Sequence, residues 1–307
     1  MKILVTGSSG TIGTALCERL MKDGHEIVCV DWRENIWNKE INSKTIDVDL
    51  RDKEKVFTHL PKDIDMIIHF AANARVFNLI VDPTLAMDNI KTTFNMLEFA
   101  RKNNIKKFLF SSSREVYGNM LKITRSEDEV CLENCESPYT ASKITGEALI
   151  YAYQKCYDLD YIVVRFSNVY GKYDNSDRVV PLFIRQCKKG EDLKVFGRDK
   201  FLDFTYISDA IDAIILCIEK FEDGKNNTYN IASEESASIV RVAEFIKNKL
   251  QSDNEIIIEG NRTGEVVKYV ADITKIKSKL GYKPKVGVDA GIMKSIDWYG
   301  KNTNGNI

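Results

Sequence analysis

The chain has 307 residues, of which 44% are hydrophobic and 29% charged, and its formal net charge is −1. These values fit a folded globular protein, and they exclude a global basic field that would draw nucleic acid or an anionic membrane. No apolar run approaches the roughly 20 residues of a membrane span, so no membrane partner is expected.

The first apolar run, Lys2 to Thr6, is too short for a signal peptide and leads straight into a glycine turn, Gly7-Ser8-Ser9-Gly10-Thr11-Ile12-Gly13. A helical stripe follows (Ile12, Leu16, Leu20, Met21), closed by Gly24, and Glu26 to Val30 forms a second strand ending at Asp31. Strand, glycine turn, helix, strand and acid, in that order, make a dinucleotide site. The glycines let a pyrophosphate approach the backbone, and the helix N-terminus offers N–H donors and a positive dipole end. Asp31 stands at the spacing of a carboxylate that bonds the adenosine ribose hydroxyls and repels a 2′-phosphate. NAD is therefore expected rather than NADP, with Arg33 as the opposing signal. The alternation continues with a strand at Thr45 to Val48 followed by Asp49-Leu50, a helix over Arg51 to Leu60, and a buried strand from Asp65 to Phe70. The small residues Ala71 and Ala72 at its end let a cofactor lie close, whereas His69 is expected to be packed at a strand end. A long helix spans Pro83 to Asn103, and a fifth strand, Lys107 to Phe110, runs into Ser111-Ser112-Ser113-Arg114-Glu115.

Ser137 and Pro138 cap the next helix, which carries Tyr139 and Lys143 at i and i+4 on one face. A cation beside a phenol favours the phenolate, so this pair is expected to lower the Tyr139 pKa toward that of a usable general base. Tyr161 to Arg165 is a sixth strand. Six strands separated by helices predict an α/β fold with a doubly wound parallel Rossmann sheet and its ligands at the strands' C-terminal ends. Beyond Gly171 come a polar loop (172–178), a helix (179–189), a short strand (193–196), a helix over Phe204 to Lys220 starting near Ser208-Asp209, a strand at Tyr229 to Ala232, a helix over Ser238 to Leu250 and a loop at 261–265. This divides the chain into a dinucleotide-binding domain, 1–170 with 204–232 returning to it, and a smaller α/β substrate-binding lobe, 171–203 and 233–307. The seven cysteines (Cys17, Cys29, Cys131, Cys135, Cys156, Cys187, Cys217) lie mostly in apolar patterns, as expected of reduced thiols in a cytoplasmic protein. Cys131 and Cys135 have neither C-x-x-C spacing nor a histidine cluster nearby, so no metal site is expected.

Gly7-x-x-Gly10-x-x-Gly13, Asp31, Asp49-Leu50, His69-x-Ala71-Ala72, Asn89, Ser111-Ser112-Ser113 before Val116-Tyr117-Gly118, Tyr139-x-x-x-Lys143 and Arg165-x-x-Asn168-Val169-Tyr170-Gly171 occur in order over nearly the whole chain. The set resembles the extended short-chain dehydrogenases/reductases, in the nucleotide-sugar epimerase and dehydratase family. The resemblance implies that Gly7, Gly10, Thr11, Ile12, Gly13, Asp31, Asp49, Leu50, Ala71, Ala72, Asn89, Tyr139 and Lys143 bind NAD. It implies that Tyr139 takes a sugar hydroxyl proton, that Ser113 bonds the same oxygen, and that Lys143 holds the nicotinamide ribose. Asn168 and Arg262 would contact the substrate diphosphate, and Val180 would border the bound nucleotide-diphosphate sugar. The chain departs from the pattern at Phe201-Leu202, where many relatives carry an Arg before the Asp-Phe that matches Asp203-Phe204; Arg178, Arg185 or Arg198 would have to replace it.

Subfamilies diverge after the shared oxidation. One dehydratase type has Thr-Asp-Glu where this chain has Ser113-Arg114-Glu115, and an Arg cannot protonate a leaving hydroxyl at neutral pH. The resemblance therefore implies a 4-epimerase acting through a transient 4-keto sugar. Glu115, kept as a catalytic candidate, leaves a 4,6-dehydratase or a uronate decarboxylase as the alternative. A catalytically idle NAD-binding regulatory protein is the other class, against which the intact Ser113, Tyr139 and Lys143 argue. Members of the family pair through two long helices; here Leu97, Phe99, Leu149, Ile150 and Tyr153 supply the apolar positions for a homodimer.

Overall fold

The computed structural model describes residues 1–120, 122 and 124–302, so positions 303–307 of the expected lobe lie outside the described residues. Its first half contains β1 (Lys2–Thr6), α1 (Thr11–Lys22), β2 (Glu26–Asp31), α2 (Lys39–Lys44), β3 (Thr45–Asp47), α3 (Lys53–His59), β4 (Met66–His69), α4 (Val76–Val81), α5 (Thr84–Lys102), β5 (Lys107–Ser113), β6 (Thr124–Arg125), α6 (Pro138–Tyr157) and β7 (Asp160–Phe166). The second half contains β8 (Asn168–Tyr170), α7 (Val179–Lys189), β9 (Leu193–Phe196), β10 (Phe201–Tyr206), α8 (Ile207–Glu219), α9 (Phe221–Gly224), β11 (Asn227–Ile231), β12 (Ser236–Ser238), α10 (Ile239–Lys249), β13 (Ile256–Glu259), β14 (Lys268–Ala271), α11 (Thr274–Leu280) and α12 (Val288–Lys301).

A seven-stranded sheet runs in the order β11-β7-β5-β4-β1-β2-β3, and every pairing in it is parallel. The chain winds outward from β1 to β3, then crosses back to place β4 on the other side of β1. That reversal opens a crevice at the C-terminal ends of β1 and β4, where ligands of such sheets bind. Alternate side chains serve opposite faces: Ile3 and Val5 join one core with Leu16, Leu20 and Ile214, and Leu4 joins the other with Leu97, Phe99 and Ile150. Full burial of each such side chain contributes about 1.5–3 kcal/mol. A five-stranded sheet, β12-β10-β14-β6 with β8 on β10, and a β13-β9 pair make up the rest. Among the described residues, no helix is long and apolar enough to cross a membrane.

One expected element is corrected. Phe204, Thr205 and Tyr206 do not open a helix; they pair with Asn168, Val169 and Tyr170 as the end of β10, and the helix begins at Ile207. Aromatic and β-branched side chains suit a half-buried pleated surface, and the strand hydrogen bonds outweigh the helical stripe that follows. Asp209 caps nothing in α8. Its carboxylate accepts instead from the amides of Lys285 and Val286, at 2.9 and 2.8 Å.

Helix α6 approaches β5 at Gly146, where a Cβ would lie 2.5 Å from Phe110 Cζ. Phe110 is itself stacked on His69, with ring centroids 6.1 Å apart, and has little room to turn away. Gly146→Val is therefore expected to destabilise the fold by about 1–3 kcal/mol, the usual cost of overpacking. Urea denaturation of the purified protein checks this; an unchanged midpoint would mean that the α6–β5 contact is loose.

Candidate active site

The residues named from the sequence come together. Gly7, Gly13, Asp31, Ala71, Ser113, Tyr139, Lys143, Asn168, Val180 and Arg262 all line one cleft of about 910 Å³, as do Gly10, Thr11, Ile12, Asp49, Leu50, Ala72, Asn89 and Glu115. The cleft extends from the switch point of the large sheet to the β9–β10 region.

At one end the turn after β1 lies flat against the end of β4. Gly7 has φ +72°, and a Cβ there would sit 2.8 Å from Ala71 N; a Cβ on Gly13 would sit 2.0 Å from Gly7 O. Only glycine fits, and the result leaves the first N–H groups of α1, which have no intrahelical partner, open to the cleft. Asp31 closes β2 with its carboxylate held by the amides of Ser9 (3.0 Å), Trp32 (2.9 Å) and Arg33 (3.0 Å). A dinucleotide fits this cradle: donors for a pyrophosphate, and an oriented carboxylate for a ribose. Two expected contacts are partly spent on the protein. Asn89 pins the Asn73 backbone, accepting from its N–H at 2.7 Å and donating to its carbonyl at 3.1 Å. Thr11 donates its hydroxyl to Tyr173 O at 3.0 Å. His69 is a packed residue, bonded to Thr6 and Thr93 hydroxyls at 2.8 and 3.3 Å, and burial lowers it to about 3, so it is neutral.

In the middle, the Ser137 hydroxyl caps α6 by accepting from Thr140 N at 3.2 Å, which fixes where Tyr139 and Lys143 point. Ser113 caps the turn that follows β5, accepting from Glu115 N at 3.2 Å. The expected electrostatics need correction here. Burial raises the Tyr139 phenol above its ordinary value, opposed by the Ser113 hydroxyl and by the charges of Arg178 and Arg114. Lys143 does not reverse this. Its Nζ donates to Ser111 O at 2.7 Å and lies 5.8 Å from the Tyr139 ring centroid. Burial lowers the ammonium itself to about 8, against the opposing pull of Glu147. The i,i+4 spacing is as expected, but loss of water around the phenol decides its acidity.

Next to Ser113, Arg114 and Glu115 form a buried ion pair at 2.8 Å. Burial raises the Glu115 carboxyl, and Arg114 pulls it back down. At the far end, Arg262 stacks over Phe196 at 3.7 Å, with Phe77 at 5.3 Å. Asn168 donates to Asp203 O at 2.8 Å. Leu202 lines the cleft where an Arg was expected; of Arg178, Arg185 and Arg198, Arg178 alone lines it too. Sequence reasoning missed Arg75, which reaches across the mouth of the cleft to Ser176 (3.2 Å) and Asp177. It also missed Trp32, stacked under Arg51 at 4.8 Å. Trp32 follows Asp31 directly and could have been noticed; the partners of Arg75 are far away in sequence.

The NAD dependent epimerase/dehydratase family matches residues 3–232. A Methanocaldococcus jannaschii protein named putative UDP-glucose 4-epimerase is 33% identical over 312 residues, covering 98% of this chain and 99% of its own length. An Escherichia coli dTDP-glucose 4,6-dehydratase is 29% identical, covering 99% and 94%. The crystal structure of a UDP-glucuronic acid 4-epimerase from Bacillus cereus, in complex with UDP-glucuronic acid and NAD, is similar with a TM-score of 0.89 at 28% identity, covering 98% of this chain and 99% of that one.

The Asp31 side chain is only 3% exposed and cannot swing away from a 2′-phosphate, while Arg33, 70% exposed, approaches no nearer than 4.0 Å. NAD is therefore expected to bind at least about 10-fold more tightly than NADP, the worth of one hydrogen bond to a charged group. Quenching of tryptophan fluorescence on titration measures both. Equal or tighter NADP binding would give the ribose site to Arg33.

Proposed function

This chain belongs to the NAD-dependent epimerase/dehydratase family, and from that premise we propose that it is a nucleotide-sugar 4-epimerase working through a transient 4-keto sugar. NAD is the cofactor, and bound beside the glycine turn and Asp31 it would supply a reversible hydride acceptor for the sugar. The observation that carries the reading is that Ser113, Tyr139 and Lys143 line one cleft with the glycine turn and Asp31.

The protein's own groups have separate tasks in this reading. Tyr139 takes the sugar hydroxyl proton and later returns it. Burial holds its phenol above the ordinary value, and the Ser113 hydroxyl with the Arg178 and Arg114 charges offsets only part of that rise, so the proton is held until a substrate oxygen and the cofactor occupy the cleft. Ser113 bonds the reacting oxygen. The Lys143 ammonium, fixed on Ser111 O, holds the cofactor ribose. Arg262 has no carboxylate partner among the described residues and, held on the Phe196 ring, can fork onto phosphate oxygens. Arg178 takes the place of the missing Arg.

The choice of epimerase over dehydratase rests on Arg114. It occupies the position of the acid that a dehydratase needs, and its guanidinium is committed to Glu115 at 2.8 Å. Dehydratase chemistry is the second reading, because the raised Glu115 carboxyl has the character of a general acid.

A homodimer is part of the proposal, with altered grounds. Leu97, Phe99, Ile150 and Tyr153 are buried within the chain, and Leu149 packs on the same core, so they cannot form an interface. Met87 (64% exposed), Phe94 (39%) and Tyr157 (45%) remain on the outer sides of α5 and α6. Light scattering at micromolar concentration is expected to give twice the chain mass, and a monomeric mass rules the dimer out.

Tyr139→Phe is expected to reduce turnover by about 10²–10⁴-fold, the usual contribution of a general acid/base, with NAD binding nearly intact. Glu115→Gln separates the two readings: an epimerase is little affected, whereas a dehydratase loses elimination but still forms reduced cofactor with its substrate. Stopped-flow absorbance of reduced cofactor on mixing with UDP-, GDP-, TDP- and CDP-sugars, with NMR of the products, decides both. Near-normal turnover by Tyr139→Phe on the true substrate would overturn the assignment, and no reduced cofactor with any sugar would favour a binding protein.

A further inference from the structure

Helix α6 meets β5 through three successive polar contacts. The Tyr139 phenol faces the Ser113 hydroxyl, Lys143 Nζ donates to Ser111 O at 2.7 Å, and Glu147 Oε1 accepts from Ser112 Oγ at 2.5 Å. Tyr139, Lys143 and Glu147 follow one another at i,i+4 spacing, so they share a helix face. Glu147 is 4% exposed. Arg165 of β7 grips it from Nε (2.9 Å) and Nη2 (2.7 Å), and Tyr151 OH donates to it at 3.0 Å. Arg165 is fixed in turn by Tyr117 OH (3.0 Å) and Glu127 O (2.7 Å). Glu147 therefore ties α6 to two strands of the large sheet at once.

The surroundings of Lys143 give this anchor an electrostatic role. From β5, the ammonium meets the Ser111 carbonyl and the Phe110 ring at 5.1 Å; from its own helix, the Tyr139 ring at 5.8 Å. From β4 it meets His69, which is neutral. Arg165 of β7 lies behind the Glu147 carboxylate. None of these groups except Glu147 offers a negative charge to a buried cation.

We propose that Glu147 is a positioning residue for the Tyr139–Lys143 pair: it locks α6 in register on β5 and supplies the negative charge that keeps the buried Lys143 ammonium protonated. This rests on the reading that Tyr139 and Lys143 serve the reaction, although its first test needs no turnover. Burial takes Lys143 down to about 8 even with Glu147 in place, so the ammonium loses its proton as pH rises through that value. Without the carboxylate, burial and the uncompensated Arg165 charge act together, and the proton leaves at lower pH.

The test is a pH titration of the protein carrying carbon-13-labelled lysine, with the Lys143 signal assigned by Lys143→Arg. The midpoint is expected to fall in Glu147→Gln and to rise in Arg165→Met, which leaves Glu147 unneutralised. Either single change strands a buried charge and threatens folding; the double variant Glu147→Gln/Arg165→Met strands none, so it decides the matter if a single variant fails to fold. In the double variant the midpoint is expected to stay below that of the unaltered protein. Its kcat is expected to be about 10²-fold reduced, as for a misplaced catalytic group, with KM for the nucleotide sugar little changed and partial recovery in Glu147→Asp. A double variant with the original midpoint and kcat would overturn the proposal, because Glu147 would then only neutralise Arg165. If the unaltered protein turns over no nucleotide sugar, the epimerase reading fails, and the titration midpoints still decide the role of Glu147.

Discussion

Helix α6 buries a polar face against β5, an inner strand of the large sheet, and the chemistry of the cleft follows from that. A helix side carrying a phenol, an ammonium and a carboxylate can be dehydrated only if each group finds a partner, because an unpaired buried polar group costs about 1–3 kcal/mol or more. The end of β5 supplies those partners as three consecutive serines, through two hydroxyls and one main-chain carbonyl. Gly146 on the same helix has no side chain to hold the two elements apart. Ser111-Ser112-Ser113 would be a poor choice for an ordinary buried strand end; here it is the complement of α6.

The same burial sets the acid–base character of the site. Desolvation disfavours the charged form of every group it touches, so it moves the phenol up and the ammonium down to about 8. Neither change is what the local sequence suggests. Tyr139 and Lys143 at i and i+4 do stand side by side, but neighbouring position says nothing of how much water the fold removes. The charges that lower the phenol come instead from Arg178, before α7, and Arg114, after β5, residues that only the tertiary structure brings near.

This separates what was legible from what was not. The glycine turn, the acid ending β2 and the capped α6 are local features with their causes in a few adjacent residues, and the large sheet follows from a repeated strand–helix alternation. The return of β11 to β7 was also visible, as a short apolar run after a helix. The smaller sheet was not. Its strands β8 and β12 have three residues each and β14 has four, too few for a period to show, and their partners are distant in the chain. Helix α4 is six residues of VFNLIV, apolar nearly throughout, with no polar face to reveal a helix. The end of β10 reads as helix in the sequence because its aromatic residues run directly into the amphipathic stripe of α8, with no turn residue between them.

Most ionisable groups of the cleft are paired with a group of opposite charge. Arg114 is bound to Glu115, Lys200 to Glu265, Arg51 to Asp49 and Asp88, and Arg75 to Asp177. Each pair largely cancels at a distance and acts through shape and hydrogen bonds. At the far end Arg262, which has no carboxylate partner among the described residues, rests on the Phe196 ring at 3.7 Å. Stacking on an aromatic face orients a guanidinium without consuming its donors. A planar fork held that way suits a phosphate oxygen pair, while Asp31 at the opposite end suits hydroxyls and repels phosphate. The two ends of one cleft thus ask for different parts of different molecules, and the Tyr139 phenol lies between them, where a sugar and a cofactor would meet.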